Sequence, residues 1–221
     1  SKMFKDGNYF WLEILDLNPG QEYAFRYIVD GTYLADPFAD KILDPDDVWI
    51  PESTYPNLKA FPQEALFPSD EWYKNRLAVI ETGQASYEWQ TTSYERPDKH
   101  ELIIYELLIR DFFAADDRKY SNLIDTLSYF KRLGVNTIEL MPIMEFNGND
   151  SWGYNSTFMF APDKAYGTKK DLKMFIDAAH EAGLAVTLDI VFNHQELPNP
   201  YVAMWFDYGS FQIAPDNPMF N

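Results

Sequence analysis

Asp189 interrupts the apolar run Leu184–Phe192, and Asn193 and His194 follow it directly. A carboxylate in so apolar a stretch is costly to bury unless it is paired. An ion pair with an Arg or Lys would satisfy it and imply nothing further. The chemical reading is that Asp, Asn and His cluster at the C-terminal end of a strand, where parallel α/β folds keep their sites. In that reading Leu184, Val186, Leu188 and Ile190 face covering helices, and Ala185, Thr187 and Asp189 face the other way.

The elements that must position these residues begin near Glu101. Leu102–Ile109 is an apolar run suited to a buried parallel strand. A helix follows, with Ser121 as its expected cap, Leu123, Leu127, Phe130 and Leu133 on one face, and Gly134 at its end. Val135–Met141 reads as a second strand, and 144–167 as a long loop. Thr168 with Asp171 forms a variant capping box. Leu172, Phe175, Ile176 and Ala179 stripe the next helix, Gly183 ends it, and Leu184–Phe192 is the third strand. The order β-α-β-α-β indicates an α/β fold with a parallel sheet.

The N-terminal part has a different texture. Tyr9, Trp11, Glu13 and Leu15, then Tyr23, Phe25, Tyr27 and Val29, alternate as strands do. Asn18-Pro19-Gly20 and Asp30-Gly31 are turn signals. Residues 1–60 are therefore read as part of an antiparallel β-sandwich. Residues 61–99 are read as a connector rich in proline and aromatic residues, with a short strand at Ala78–Glu81. Residues 100–221 form the α/β portion, with long loops after its second and third strands.

Composition narrows the partners. The 221 residues carry a formal net charge of −17, a field that repels nucleic acid and anionic lipid. No apolar run of 18 residues occurs, so no segment is read as spanning a membrane. The absence of cysteine excludes disulfide and thiolate chemistry and leaves the compartment undecided. A neutral ligand is indifferent to the charge. The 32 Tyr and Phe and 6 Trp include rings that could stack on sugar faces, although most rings serve the core.

Four motifs then align with one family. Leu188–His194 resembles the first conserved region of the α-amylase family of glycoside hydrolases. Val135–Pro142 resembles the family's second barrel strand with its closing proline. Trp152-Gly153-Tyr154 resembles the aromatic turn after that strand. Ile104-Tyr105-Glu106 with Arg110-Asp111-Phe112 resembles the first strand. The motifs occur in family order over about residues 100–194. The N-terminal strands, with Asp30-Gly31 and Ala35-Asp36-Pro37, resemble the carbohydrate-binding-module-like domain that precedes many such barrels.

The resemblance implies a (β/α)8 barrel of roughly 250 residues, of which this chain carries the first three strands. It implies an α-glucan substrate and a retaining mechanism using two carboxyl groups. The motifs bearing that nucleophile and acid/base are not found here. Glu106, Glu139, Glu145 and Glu196 stand outside them and are assigned neither role. What carries over is the substrate cradle. Tyr154 corresponds to the tyrosine stacking beneath the sugar, and His194 to the histidine that hydrogen-bonds its hydroxyls. Asp189 corresponds to an aspartate that supports the site, and Trp152 is included as a substrate-binding neighbour. Asn193 corresponds to a calcium ligand of many members, and calcium wants six to eight oxygens. Asn147, Asn149 and Asp150 offer a second oxygen-rich loop, whose simpler reading is a solvated turn. The rival readings are a non-catalytic carbohydrate-binding protein on an amylase-like scaffold, and a transporter-associated or structural homologue without catalysis. The open strand edge is expected to be covered by the remainder of the barrel or by another copy of the chain.

Overall fold

The structure is a computed structural model that describes residues 1–114, 117–207 and 212–213. The end of the stretch assigned to the barrel, 208–211 and 214–221, lies outside the described residues.

Three parallel strands form the sheet that carries the site. β8 (Ile104–Leu107), β9 (Thr137–Leu140) and β12 (Ala185–Leu188) lie in the order β8-β9-β12. The short helix α1 (Ile109–Phe112) follows β8, and the strands are joined through helices α2 (Tyr120–Leu133) and α3 (Lys169–Glu181). Tyr105, Ile138 and Val186 share one register row, and Leu107, Leu140 and Leu188 the next on the same face. That face packs on Leu123, Leu127 and Phe130 of α2 and on Leu172, Phe175 and Ala179 of α3. Each such side chain, once buried, contributes roughly 1.5–3 kcal/mol.

The helices cover only the lower part of the sheet. Leu184 is buried, but Leu188 and Ile190 are 38% and 44% exposed, so the expected inward face of the third strand holds only through Val186. Leu133, expected on the apolar stripe of α2, is half exposed. All three strands are also shorter than their apolar runs, because those runs continue into turns at each end.

The helix ends follow the sequence with one exception. Gly134 adopts a left-handed C-cap (φ 80°), and Thr168 and Asp171 form the reciprocal capping box of α3. Ser121, expected to cap α2, lies inside its first turn. Lys119 occupies the cap without a side-chain bond, and the Asn122 amide donates to the Asp117 carbonyl instead.

The stretch 144–167, expected as a loop, contains a bulged antiparallel hairpin. β10 (Met144–Phe146) pairs with β11 (Ser156–Pro162). Both strands are largely buried, so neither shows the alternation that marks a half-exposed strand.

The N-terminal part is antiparallel throughout. β1 (Phe4–Asp6) pairs with β2 (Tyr9–Trp11). β4 (Tyr27–Val29) pairs with β5 (Thr32–Leu34) around Asp30 and Gly31, both at positive φ as a two-residue primed turn requires. β3 (Glu22–Phe25), β7 (Leu77–Glu81) and β6 (Ile42–Leu43) form a three-stranded sheet with β7 at its centre. Glu13 and Leu15, read as strand, lie beyond the end of β2 in irregular chain. β7, from the stretch read as connector, ties that stretch into the N-terminal sheet. Ala35, Ala39, Ile42 and Ala78 share a core with Phe158 and Ala161 of β11, so the two parts of the chain pack as one body.

Candidate active site

Asp189 extends the parallel ladder by one bond, its amide donating to the Leu140 carbonyl at 2.9 Å. Its carboxylate therefore stands at the C-terminal edge of the sheet, on the face opposite the helices. It makes no ion pair with Arg or Lys among the described residues. Instead the Tyr154 hydroxyl donates to Asp189 Oδ2 at 2.6 Å. That bond, with burial and with Glu106 and Glu139 nearby, pushes the Tyr154 phenol up to about 12. At neutral pH the pair is a phenol donating to a carboxylate.

Tyr154 reaches Asp189 because of the residue before it. Gly153 has φ 89°, and a Cβ there would fall 2.1 Å from the carbonyl oxygen of Pro142. The backbone thus lies directly against the end of β9, with no room for a side chain. Ser151 Oγ accepts from the Gly153 amide at 2.9 Å and fixes the turn.

His194 closes the group. Its Nε2 lies 2.7 Å from the Tyr154 carbonyl oxygen. A carbonyl can only accept, so Nε2 carries the proton and Nδ1 of the neutral ring is left as an acceptor. Three expected site residues, Tyr154, Asp189 and His194, are thus joined at one sheet edge. Trp152 flanks them, 58% exposed, and makes no hydrogen bond to them. Asn193 is exposed. No group of three or more Asp, Glu or His that could hold a metal occurs among the described residues. Asn193 would supply one amide oxygen of the six to eight that calcium takes.

The loop and the chain after His194 are held from several sides. Arg110 Nη1 pairs with Asp150 at 2.8 Å, and the Asn149 amide donates to the Asp46 carbonyl at 2.7 Å. The Asn147 amide donates to the Leu197 carbonyl at 2.6 Å. Each of Asn147, Asn149 and Asp150, considered above as an oxygen-rich loop, thus makes a structural contact. Beyond the site, the Glu196 amide donates to the Ser156 carbonyl and the Asn199 side chain to that of Thr157.

Beneath this loop lies a charged cluster that the sequence did not reveal. Lys164, Glu145, Asp163 and Asp47 are each at most 5% exposed. Lys164 Nζ contacts Glu145 Oε1 and lies 3.3 Å from Asp47 Oδ1. Asp163 accepts from the amides of Ala165 and Phe146. Burial pushes the carboxyls up, Asp163 to about 7, and the surrounding carboxylates raise the Lys164 ammonium. The cluster joins the N-terminal turn at Asp47 to both ends of the β10–β11 hairpin. Asp47 is over 90 residues from its partners, so no local pattern signals the cluster.

A family model described as "Alpha amylase, catalytic domain" matches residues 111–208, spanning the site from Arg110's neighbour to beyond His194. Residues 111–208 thus belong to the α-amylase family. It is 37% identical over 189 residues to a malto-oligosyltrehalose trehalohydrolase of Saccharolobus solfataricus, covering 86% of this chain and 28% of that protein. It is 37% identical over 127 residues to a 1,4-alpha-glucan branching enzyme of Vibrio cholerae, covering 53% of this chain and 17% of that protein. The crystal structure of a putative alpha amylase from Salmonella typhimurium superposes with a TM-score of 0.68 at 28% identity, over 96% of this chain and 32% of that one. The chain thus spans less than a third of each of these family members.

Proposed function

We propose that this chain provides part of the substrate cradle of an α-glucan-acting hydrolase or transglycosylase. The observation that carries the reading is the bonded group Tyr154–Asp189–His194 at the C-terminal edge of the parallel sheet. In this reading Tyr154 offers its ring to the apolar face of a glucose unit. Asp189 holds that ring by accepting its hydroxyl proton, and His194 Nδ1 accepts from a sugar hydroxyl. Trp152 extends the stacking surface. β8, β9 and β12 are the first three strands of an eight-stranded barrel. The N-terminal sheets belong to a carbohydrate-binding-module-like sandwich.

The retaining route needs a nucleophile and an acid/base, and Glu106, Glu139, Glu145 and Glu196 stand outside the motifs that carry them. Glu145 is buried against Lys164. Glu196 bonds the Asn147 amide through Oε2. Glu106 and Glu139 lie side by side on the sheet, one register row short of Asp189. The 221-residue chain should therefore bind maltotriose without releasing reducing sugar. Calorimetry with maltotriose tests the cradle. Binding that Tyr154→Ala weakens supports it, and an isotherm unchanged in that variant refutes it. Reducing sugar released from starch by the purified chain would mean that the catalytic groups are misplaced.

A further inference from the structure

A cleft of about 770 Å³ opens between the N-terminal sheet and the first turns of α3, away from Tyr154. Its size falls within the usual range of ligand pockets, roughly 300–1,000 Å³. One wall is the end of the three-stranded sheet at Glu22, Val79 and Glu81, and another is the segment 84–90. That segment is pinned to α3, because buried Asp177 accepts from the Tyr87 hydroxyl and from the amides of Gln90 and Thr91. Lys169 pairs with Asp40 and Lys41 with Glu22 at the cleft's edge. The cleft is therefore preformed, not a gap between loosely packed parts.

The lining limits what can enter. Four lysines, Lys41, Lys169, Lys170 and Lys173, face four carboxylates, Glu22, Asp40, Glu81 and Glu88, so the cleft carries no net charge. The N-terminus of α3 would attract an anion, but the Thr168–Asp171 capping box occupies two of its amides and places a carboxylate there. What remains is a mixture of donors and acceptors, Gln84, Ser86 and Gln90, with the phenol rings of Tyr55 and Tyr87. Rings with apolar faces beside dense, charge-balanced hydrogen-bonding groups match a neutral polyhydroxylated ligand. We propose that this cleft is a second oligosaccharide-binding site, separate from the sheet-edge cradle. The identity of the sugar as an α-glucan rests on the function proposed above.

Amide NMR of the isotope-labelled chain separates the two sites. Maltotriose is titrated into the Tyr154→Ala chain, in which the cradle lacks its ring. Shifts at 84–90 and 168–174 that saturate are expected. Ser86→Trp, which fills the cleft from an exposed position, should weaken that response at least about tenfold while leaving the dispersion of the spectrum intact. In the wild-type chain, shifts at 152–154 and 189–194 report on the cradle independently. Maltotriose that moves only those amides, or moves none, overturns the cleft proposal. So does a cleft that answers inorganic phosphate and not maltotriose.

Discussion

The carboxylate at the sheet edge and those packed against the β10–β11 hairpin differ in what surrounds them. At the sheet edge, Asp189 meets one phenol in a setting that solvent reaches: Tyr154 is 37% exposed. Beneath the loop, Asp47, Glu145 and Asp163 crowd around one ammonium with almost no exposure. Buried charge of the second kind builds scaffold, since it is costly unless every partner stays in place. Among the described residues the first kind leaves two acceptors without a partner, the carboxylate's other oxygen and His194 Nδ1, and so can meet a ligand. The cluster also explains how a long insertion holds Tyr154 steady: the N-terminal turn at Asp47 reaches under the hairpin and fixes both of its strands.

The comparison breaks most visibly at Lys164. Lys164→Met leaves three buried carboxyls without their cation and should cost about 3–5 kcal/mol in urea denaturation. Replacing Glu145 by Met as well should restore much of that loss, since a buried pair exchanged for apolar groups is often neutral. Next comes Gly153→Ala. The required φ and the clash with the Pro142 carbonyl predict a loss of about 1–3 kcal/mol. Hydrogen exchange should show the loosening in the loop and at β9, not in the N-terminal sheet.

A smaller effect follows from the raised pKa of Asp163. Its folded value of about 7 lies above the unfolded value near 3.9, so the folded chain holds the proton longer. The stabilising contribution of that proton is complete below about pH 4 and is lost as pH rises through 7. Urea denaturation of Asp163→Asn and the wild type should therefore diverge with pH, the variant gaining relative stability between pH 4.5 and 7.5. The smallest change is spectroscopic. Asp189→Asn removes the charged acceptor and should bring the Tyr154 phenol from about 12 towards its ordinary value near 10. Phenolate absorbance, with Tyr154→Phe as the blank, reads it.

The grouping of Tyr154, Asp189 and His194 was legible in the sequence because these residues sit in short motifs tied to regular elements. The apolar run with Asp189 near its end located a strand edge, and helix–glycine–strand joins at Gly134 and Gly183 gave the parallel order. The cluster under the loop was not legible. Lys164 and Glu145 lie in strands and turns buried on both sides, where no alternation appears, and Asp47 reaches them only through tertiary packing. The same burial hid the β10–β11 hairpin. Ser121 misled because a good capping residue stood one position inside the helix, where Tyr120, packed into the core, fixed the helix start. The central place of β7 was invisible for a similar reason: strand pairing across more than 50 residues leaves no local trace.

The proposed cradle requires a glucan to lie on the Tyr154–Asp189–His194 edge. A crystal structure of the chain with maltotriose tests this directly. A glucose ring is expected to stack on Tyr154, with a hydroxyl donating to His194 Nδ1 and the Tyr154–Asp189 bond kept. Maltotriose ordered elsewhere on the chain, with Tyr154 and His194 untouched, would contradict it.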